Sequence, residues 1–283
     1  MQNTTIAVDE GPFPTFDGLE LYHRSWSPQG QATAAVIIVH GYGHHSGSFD
    51  ETGRRLAAEG FAVLAYDQRG FGKAGGTRGN IVSFDTTLRD LDAFFAYSAD
   101  VIGDLPLFLM GHSLGGLIGA NYAITRQPIV NGLVFSSALL KLPDRVSPTL
   151  LKLSAVISTL LPFLPVERID VTAISRDPSV IDRALNDPLC HYGPVNARTG
   201  DQIARAIRHA QEHFPLINAP IIAFHGTADR LTDPEGSRTL VAKAVVEDKT
   251  LLEFDGGYHE LFNDLERESF FKAIIAWLLE HAQ

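Results

Sequence analysis

Five residues, Gly111-His112-Ser113-Leu114-Gly115, set a serine between two glycines, after the apolar run 107–110 and before the small-residue run 114–120. G-x-S-x-G in that setting predicts a sharp turn from strand to helix that strains the serine and exposes its hydroxyl. Glycine at 111 and 115 lets neighbouring chain pass where a Cβ would clash. The amide of Leu114 opens the helix, where unpaired N–H groups and the helix dipole favour an anion. A serine alone is a weak nucleophile, so acyl transfer at this turn requires a base, a group that orients the base and a second oxyanion donor. His259 follows KTLLEFDGGY and Asp229 follows APIIAFHGTA, each after an apolar run of strand length. The roles follow from chemistry: His259 takes the Ser113 proton and returns it to the leaving alcohol, and Asp229 holds the imidazole and stabilises its charged form. His40-Gly41-Tyr42-Gly43 follows the first strong apolar run, which makes the Tyr42 backbone N–H the second oxyanion donor beside that of Leu114.

Rival assignments exist for each partner. Asp67 also ends an apolar run, but it precedes the serine, and Gln68-Arg69-Gly70 after it suggests a turn held by an Asp–Arg pair. His40, His44, His45, His112 and His225 all fall near strand ends and are expected to pack in or support the same cleft. A zinc site would want H-E-x-x-H or H-x-x-x-H on a helix with a further ligand. His209 and His213 stand four apart, but no third ligand is near them in sequence, and they are read as a solvated helix face. No metal or organic cofactor is called for.

These residues need a scaffold that brings distant loops together. The runs AAVIIVHG, FAVLAYDQRG, PLFLMGHS, NGLVFSSA, APIIAFHG and KTLLEFDGG have strand length and β-branched or aromatic content. Helical spacing fills 49–59, 84–101 and 114–126. Strands alternating with helices predict right-handed βαβ units and a mostly parallel sheet, whose carboxyl ends carry the ligand site. Ahead of them TFDGLELYHRSW alternates around an Asp-Gly pair and reads as an antiparallel hairpin. From 139 to 215 no clear strand appears and helical spacing dominates, which divides the chain into an α/β core (1–138 and 216–283) and a helical cap (139–215) inserted in it. Within the cap, 150–164 is the most apolar stretch. It is too short for the ~20 residues of a membrane span and, lying between Pro148 and Pro162, it is expected either to pack on the core or to touch lipid at a membrane surface.

A chain of 283 residues, 45% of them hydrophobic, buries a large core and excludes disorder. The net charge of -10 argues against nucleic acid, which needs clustered Lys and Arg. A single cysteine, Cys190, and an N-terminus with neither a basic nor an apolar leader segment make a cytoplasmic protein, peripheral on the membrane if the cap touches lipid, the expectation. Nothing in the sequence indicates an oligomeric state.

The segments HGYGHHSGSF, YDQRGFG and GHSLGG, together with the tail GTADRLTDPEGSRTLVAKAVVEDKTLLEFDGGYHEL, resemble monoacylglycerol lipases and their bacterial lysophospholipase-like relatives among the α/β-hydrolases, over nearly the whole chain. AISRDPSVIDRALNDPLCHYG is similar to the cap that covers the active site in that family. The resemblance implies an α/β-hydrolase fold with a helical cap, a Ser113–Asp229–His259 triad and oxyanion amides at Tyr42 and Leu114. It also implies hydrolysis of a single-chain lipid ester, monoacylglycerol to fatty acid and glycerol, through an acyl-enzyme. A lysophospholipase or broad carboxylesterase of the same mechanism is the alternative, and a non-catalytic hydrolase-fold binding protein a minor one. Five positions depart from the family pattern. His44 and Ser48 replace a Glu and an Arg near the glycerol head group, so His44, Ser48 and His112 are the candidates for a head-group pocket. Leu114 replaces a Met of similar volume, Phe71 replaces a His, and Thr232 stands where some members carry a cysteine.

Overall fold

The computed structural model describes residues 6–142 and 157–283. Strands β1 (Ala7–Pro14) and β2 (Glu20–Ser27) form the expected antiparallel hairpin around Asp17 and Gly18, with Gly18 at φ +80°. Its pairing reaches back to Ala7, beyond the alternating stretch. β3 (Ala34–Val39), α1 (Asp50–Ala58), β4 (Phe61–Asp67), α2 (Phe84–Tyr97), the short α3 (Ala99–Ile102), β5 (Leu107–His112), α4 (Leu114–Arg126) and β6 (Gly132–Ser136) follow. Next come β7 (Pro165–Glu167), α5 (Pro178–Asn186), β8 (Val195–Asn196) and α6 (Ala197–His213), and the chain then closes with β9 (Ile221–Gly226), α7 (Pro234–Lys243), β10 (Lys249–Phe254) and α8 (Arg267–His281).

Eight strands form one sheet in the order β1-β2-β4-β3-β5-β6-β9-β10, parallel from β4 to β10. β3, β4, β5, β6 and β9 are buried at every residue, as strands covered by helices on both faces must be. Successive side chains alternate between two cores. From β3, Ala35, Ile37 and Val39 join Leu91 and Phe94 of α2 and Leu117 and Ile118 of α4. Val36 and Ile38 join Leu56 of α1 and Phe270 and Ile274 of α8 on the other face. The chain steps from β3 to β4 on one side and then to β5 on the other. That reversal lies beyond the carboxyl ends of β3 and β5, the position where α/β sheets bind ligands.

Between β6 and β9 the expectation of no strand is corrected: β7 and β8 pair antiparallel. At three and two residues they are too short to show an alternating pattern. The apolar stretch 150–164 lies outside the described residues up to 156. In its remainder Leu160, Leu161, Phe163 and Leu164 are exposed by 72%, 58%, 60% and 42%, while Ser158 is buried, so these four apolar side chains do not pack on the core. No described helix is long and apolar enough to cross a membrane.

Candidate active site

Ser113 occupies the turn from β5 into α4 with φ +54° and ψ −117°, a conformation that costs a non-glycine residue on the order of 1–3 kcal/mol. Its neighbours leave no alternative. A Cβ on Gly111 would meet the Gly115 carbonyl oxygen at 2.3 Å, and one on Gly115 would meet that of Val39 at 2.0 Å. The Ser113 amide donates to Ser136 O (3.0 Å), and its carbonyl accepts from Leu117 (3.2 Å) and Leu139 (3.0 Å). Ser113 is therefore held in this turn by backbone hydrogen bonds, without its hydroxyl.

The loop after β3 runs across this turn, since a Cβ on Gly41 would stand 3.1 Å from Ser113 Cβ. His40 braces the loop: its Nδ1–H donates to Gly41 O (2.7 Å) and its Nε2 accepts from the Gln68 amide (2.9 Å). Burial lowers the His40 pKa to about 4, so this imidazole stays neutral and structural. The Tyr42 hydroxyl turns away to donate to Gly79 O (3.1 Å). The backbone amides of Tyr42 and Leu114 donate to no described residue.

Opposite, His259 Nδ1–H donates to Asp229 Oδ2 at 2.7 Å. Asp229 is completely buried at its side chain. Its Oδ1 accepts from the amides of Leu231 (2.8 Å) and Thr232 (3.0 Å), and its Oδ2 also from the Thr232 hydroxyl (2.8 Å). Burial alone would raise the Asp229 pKa, but the His259 charge and the hydrogen bonds from His225 and His259 outweigh it and hold the carboxyl far below its usual range. For His259, burial works to lower the pKa, and the charge and hydrogen bond of Asp229, with a contribution from Glu260, overcome it and raise the group above 6.5. A base must be neutral to accept a proton, so a raised pKa moves the acid limb of kcat/KM upward. Hydrolysis is expected to rise with pH through a single ionisation above 6.5, with no second carboxylate limb near pH 4. A pH–rate profile on a neutral ester checks this, and half-maximal activity below pH 6 would contradict it.

His259 makes its side-chain hydrogen bonds through Nδ1, leaving Nε2 open among the described residues. The ring lies 4.7 Å, centroid to centroid, from that of His112, the residue before Ser113. Ser113 and His259 are not hydrogen-bonded among the described residues. Such bonds commonly tighten only when substrate is in place.

The head-group candidates separate into two groups. His44 stacks on His112 with centroids 6.0 Å apart. Burial, then the charges of His259 and His44, push the His112 pKa well below its ordinary value, and its Nδ1–H donates to Ser136 O (3.1 Å). Ser48 is used locally, its hydroxyl accepting from the His45 amide at 3.4 Å.

Other supporting residues were not evident from motif spacing. Thr232, noted in the sequence only as a replacement for cysteine, bonds Asp229 and the Ser137 carbonyl (3.0 Å). His225 Nε2 lies 3.3 Å from Asp229 Oδ2. Glu260, next to His259, is 2% exposed and lies 3.1 Å from His44 Nε2. The turn after β4 also differs from expectation: Asp67 accepts from the amides of Ser46 and Lys73 (2.7 Å each), while Arg69 bonds Asp17 and Asp90. His209 is not a free solvated residue, since its Nδ1 bonds Asn121 Oδ1 of α4 at 2.8 Å.

His45, Asp187 and Cys190 bring ligand-type atoms within 4.8 Å of one another. His45 Nδ1 accepts from the Gly47 amide (3.1 Å), so Nε2 carries the hydrogen and donates it to Asp187 Oδ2 (2.9 Å). Burial raises the Cys190 pKa to about 11. To bind a metal the thiol would have to give up its proton and the imidazole to move its own from Nε2 to Nδ1, against the Gly47 amide, and the arrangement as it stands is a hydrogen bond joining the loop after β3 to the segment after α5.

The family described as serine aminopeptidase, S33, matches residues 30–266. Monoacylglycerol lipase of Mycolicibacterium smegmatis is 32% identical over 276 residues, 96% of this chain and 97% of its own. Human monoglyceride lipase is 33% identical over 266 residues, 93% of this chain and 88% of its own. The crystal structure of Paleococcus ferrophilus monoacylglycerol lipase matches with a TM-score of 0.83 at 35% identity, over 92% of this chain and 99% of that one.

Proposed function

The chain belongs to the serine aminopeptidase, S33, family of α/β-hydrolases, and on that premise we propose that it is a serine hydrolase that splits monoacylglycerol into free fatty acid and glycerol. Ser113, Asp229 and His259 form its triad, and the amides of Tyr42 and Leu114 its oxyanion hole. The observation that carries this reading is the meeting, at the carboxyl ends of β3, β5, β9 and β10, of a strained half-buried serine, a 2.7 Å carboxylate–imidazole bond and two amides that donate to no described residue. Its substrate half rests on the likeness to monoacylglycerol lipases along most of both chains.

In the first half-reaction Ser113 Oγ attacks the ester carbonyl and its proton passes to His259. The tetrahedral oxyanion is held by the Tyr42 and Leu114 amides. His259 then protonates the departing glycerol oxygen, leaving an acyl-serine. In the second half-reaction water enters the same position and the same proton transfers release the fatty acid. Asp229 keeps Nδ1–H paired throughout and stays ionised. The glycerol half is read as lying by His44 and His112, with Ser48 the weaker candidate because its hydroxyl already serves the His45 amide.

Residues 139–215 are read as a cap whose apolar stretch 150–164 receives the acyl chain from a lipid surface. Burying each methylene is worth ~0.8 kcal/mol against water, but almost none of that remains against a micelle or membrane, so the receiving surface must itself be apolar. The exposed Leu160, Leu161, Phe163 and Leu164 meet that demand. Leu160→Asp with Leu161→Asp is expected to lower hydrolysis of long-chain monoacylglycerol at least tenfold more than that of a short p-nitrophenyl ester, and equal losses on both would remove the proposed role. The reading as a whole is tested by a panel of monoacylglycerols, lysophosphatidylcholine and p-nitrophenyl esters of increasing chain length. Preference for monoacylglycerol supports it, and faster turnover of lysophosphatidylcholine overturns the head-group assignment.

A further inference from the structure

Glu260 is a buried carboxylate that the triad mechanism does not use. Its Oε1 lies 3.1 Å from His44 Nε2, with both side chains more than nine-tenths buried. Its Oε2 accepts from Asn263 Nδ2 (2.8 Å), and its backbone amide donates to Ile174 O (2.8 Å). His44 belongs to the loop that presents the Tyr42 amide, and Glu260 to the loop that carries His259. The contact therefore joins the two loops that must be held in register for proton transfer and oxyanion binding to coincide.

We infer that Glu260 is a positioning residue: with His44 it clasps the imidazole loop to the oxyanion loop, and as a second carboxylate beside His259 it stabilises the imidazolium formed in each half-reaction. The inference rests on the reading of His259 as the base. A buried carboxylate without a partner would be strongly unfavourable, and Glu260 has the His44 ring and the Asn263 amide beside it. Burial works to raise the Glu260 pKa, and His44, Asn263 and His259 together bring it below the ordinary value instead. The titratable groups around the pair are His259 and Asp229 across the imidazole, His225 behind Asp229, His112 at the end of β5, and Tyr192 and Cys190 from the segment between α5 and β8. Asp229, from this surround, and Glu260 itself are the groups that raise the His259 pKa.

The test is the rate at which a fluorophosphonate probe labels the full-length protein, measured from about pH 5 to 9. Wild type that goes unlabelled, or Ser113→Ala that is labelled equally, would mean that the site itself has been misread. With Ser113-dependent labelling in hand, Glu260→Gln is expected to move the half-maximal pH down by about 0.5 to 1 unit and to lower the plateau rate about tenfold, since one unit is a tenfold change in proton affinity. Glu260→Asp keeps the charge and should hold the midpoint near wild type, with a plateau several-fold lower because the shorter side chain reaches His44 less well. A purely structural role would depress labelling at every pH without moving the midpoint. An unmoved midpoint in folded Glu260→Gln overturns the inference. Should that variant not fold, a Glu260→Asp plateau equal to wild type overturns it.

Discussion

Ser113→Ala is expected to lower turnover by about 10⁵ or more while leaving the fold as it is. The first half of that expectation is chemical. Without Oγ no acyl-enzyme forms, and what remains is the oxyanion hole and substrate binding, which in triad enzymes still leave roughly 10³ to 10⁴ over water. The second half is structural. The backbone bonds of Ser113 to Ser136, Leu117 and Leu139 do not involve the hydroxyl, and alanine is no more strained than serine at φ +54°. The measurement is steady-state hydrolysis of a p-nitrophenyl ester, together with fluorophosphonate labelling and a melting curve. Labelling should vanish and the melting temperature should stay within a few degrees. Surviving activity would mean a different nucleophile.

Asp229→Asn is expected to remove about 10⁴ of turnover, through the tautomer of its partner. Asp229 accepts from two backbone amides at Oδ1 and, at Oδ2, from the Thr232 hydroxyl and His259 Nδ1–H, with His225 Nε2 also 3.3 Å from Oδ2. An amide NH₂ at either position turns one of those contacts into donor against donor. If it faces His259, the imidazole relieves the clash by carrying its proton on Nε2, and the atom meant to accept the Ser113 proton is no longer a base. If it faces the amides, the loop itself is disturbed, at about 1–3 kcal/mol for the unsatisfied donors. The variant should therefore be both slow and less stable, and kcat should fall far more than KM rises. Full activity would transfer the role to another acid. Asp67 is poorly placed for it, since its two oxygens are already committed to the Ser46 and Lys73 amides.

The elements were legible because their signals are local. An apolar run of five or six residues ended by glycine or a polar residue carries its strand signal in its own residues, as in β3, β5 and β9, and α4 begins and ends at the residues that the spacing predicts, 114 and 126. β7 and β8 escaped because two or three residues carry no period. The Asp17–Gly18 turn was read from its residue types, but how far β1 and β2 pair was not, because β1 is mostly exposed and its apolar pattern is weak.

The chemistry divides in the same way. Chain order, the glycines around Ser113 and the strand-end positions of Asp229 and His259 determined which residues could act, since each constraint is a matter of residue type and a few neighbours. Only the tertiary structure decided what surrounds them. The sheet order sets β3 beside β5 and β9 beside β10, and through it His44 comes to lie against Glu260, Arg69 takes Asp17 and Asp90 as partners, and Asp229 meets His259. Ion pairs and buried hydrogen bonds form between whatever groups the packed strands leave adjacent, and that adjacency depends on the crossings of the whole sheet, which no short stretch of sequence encodes.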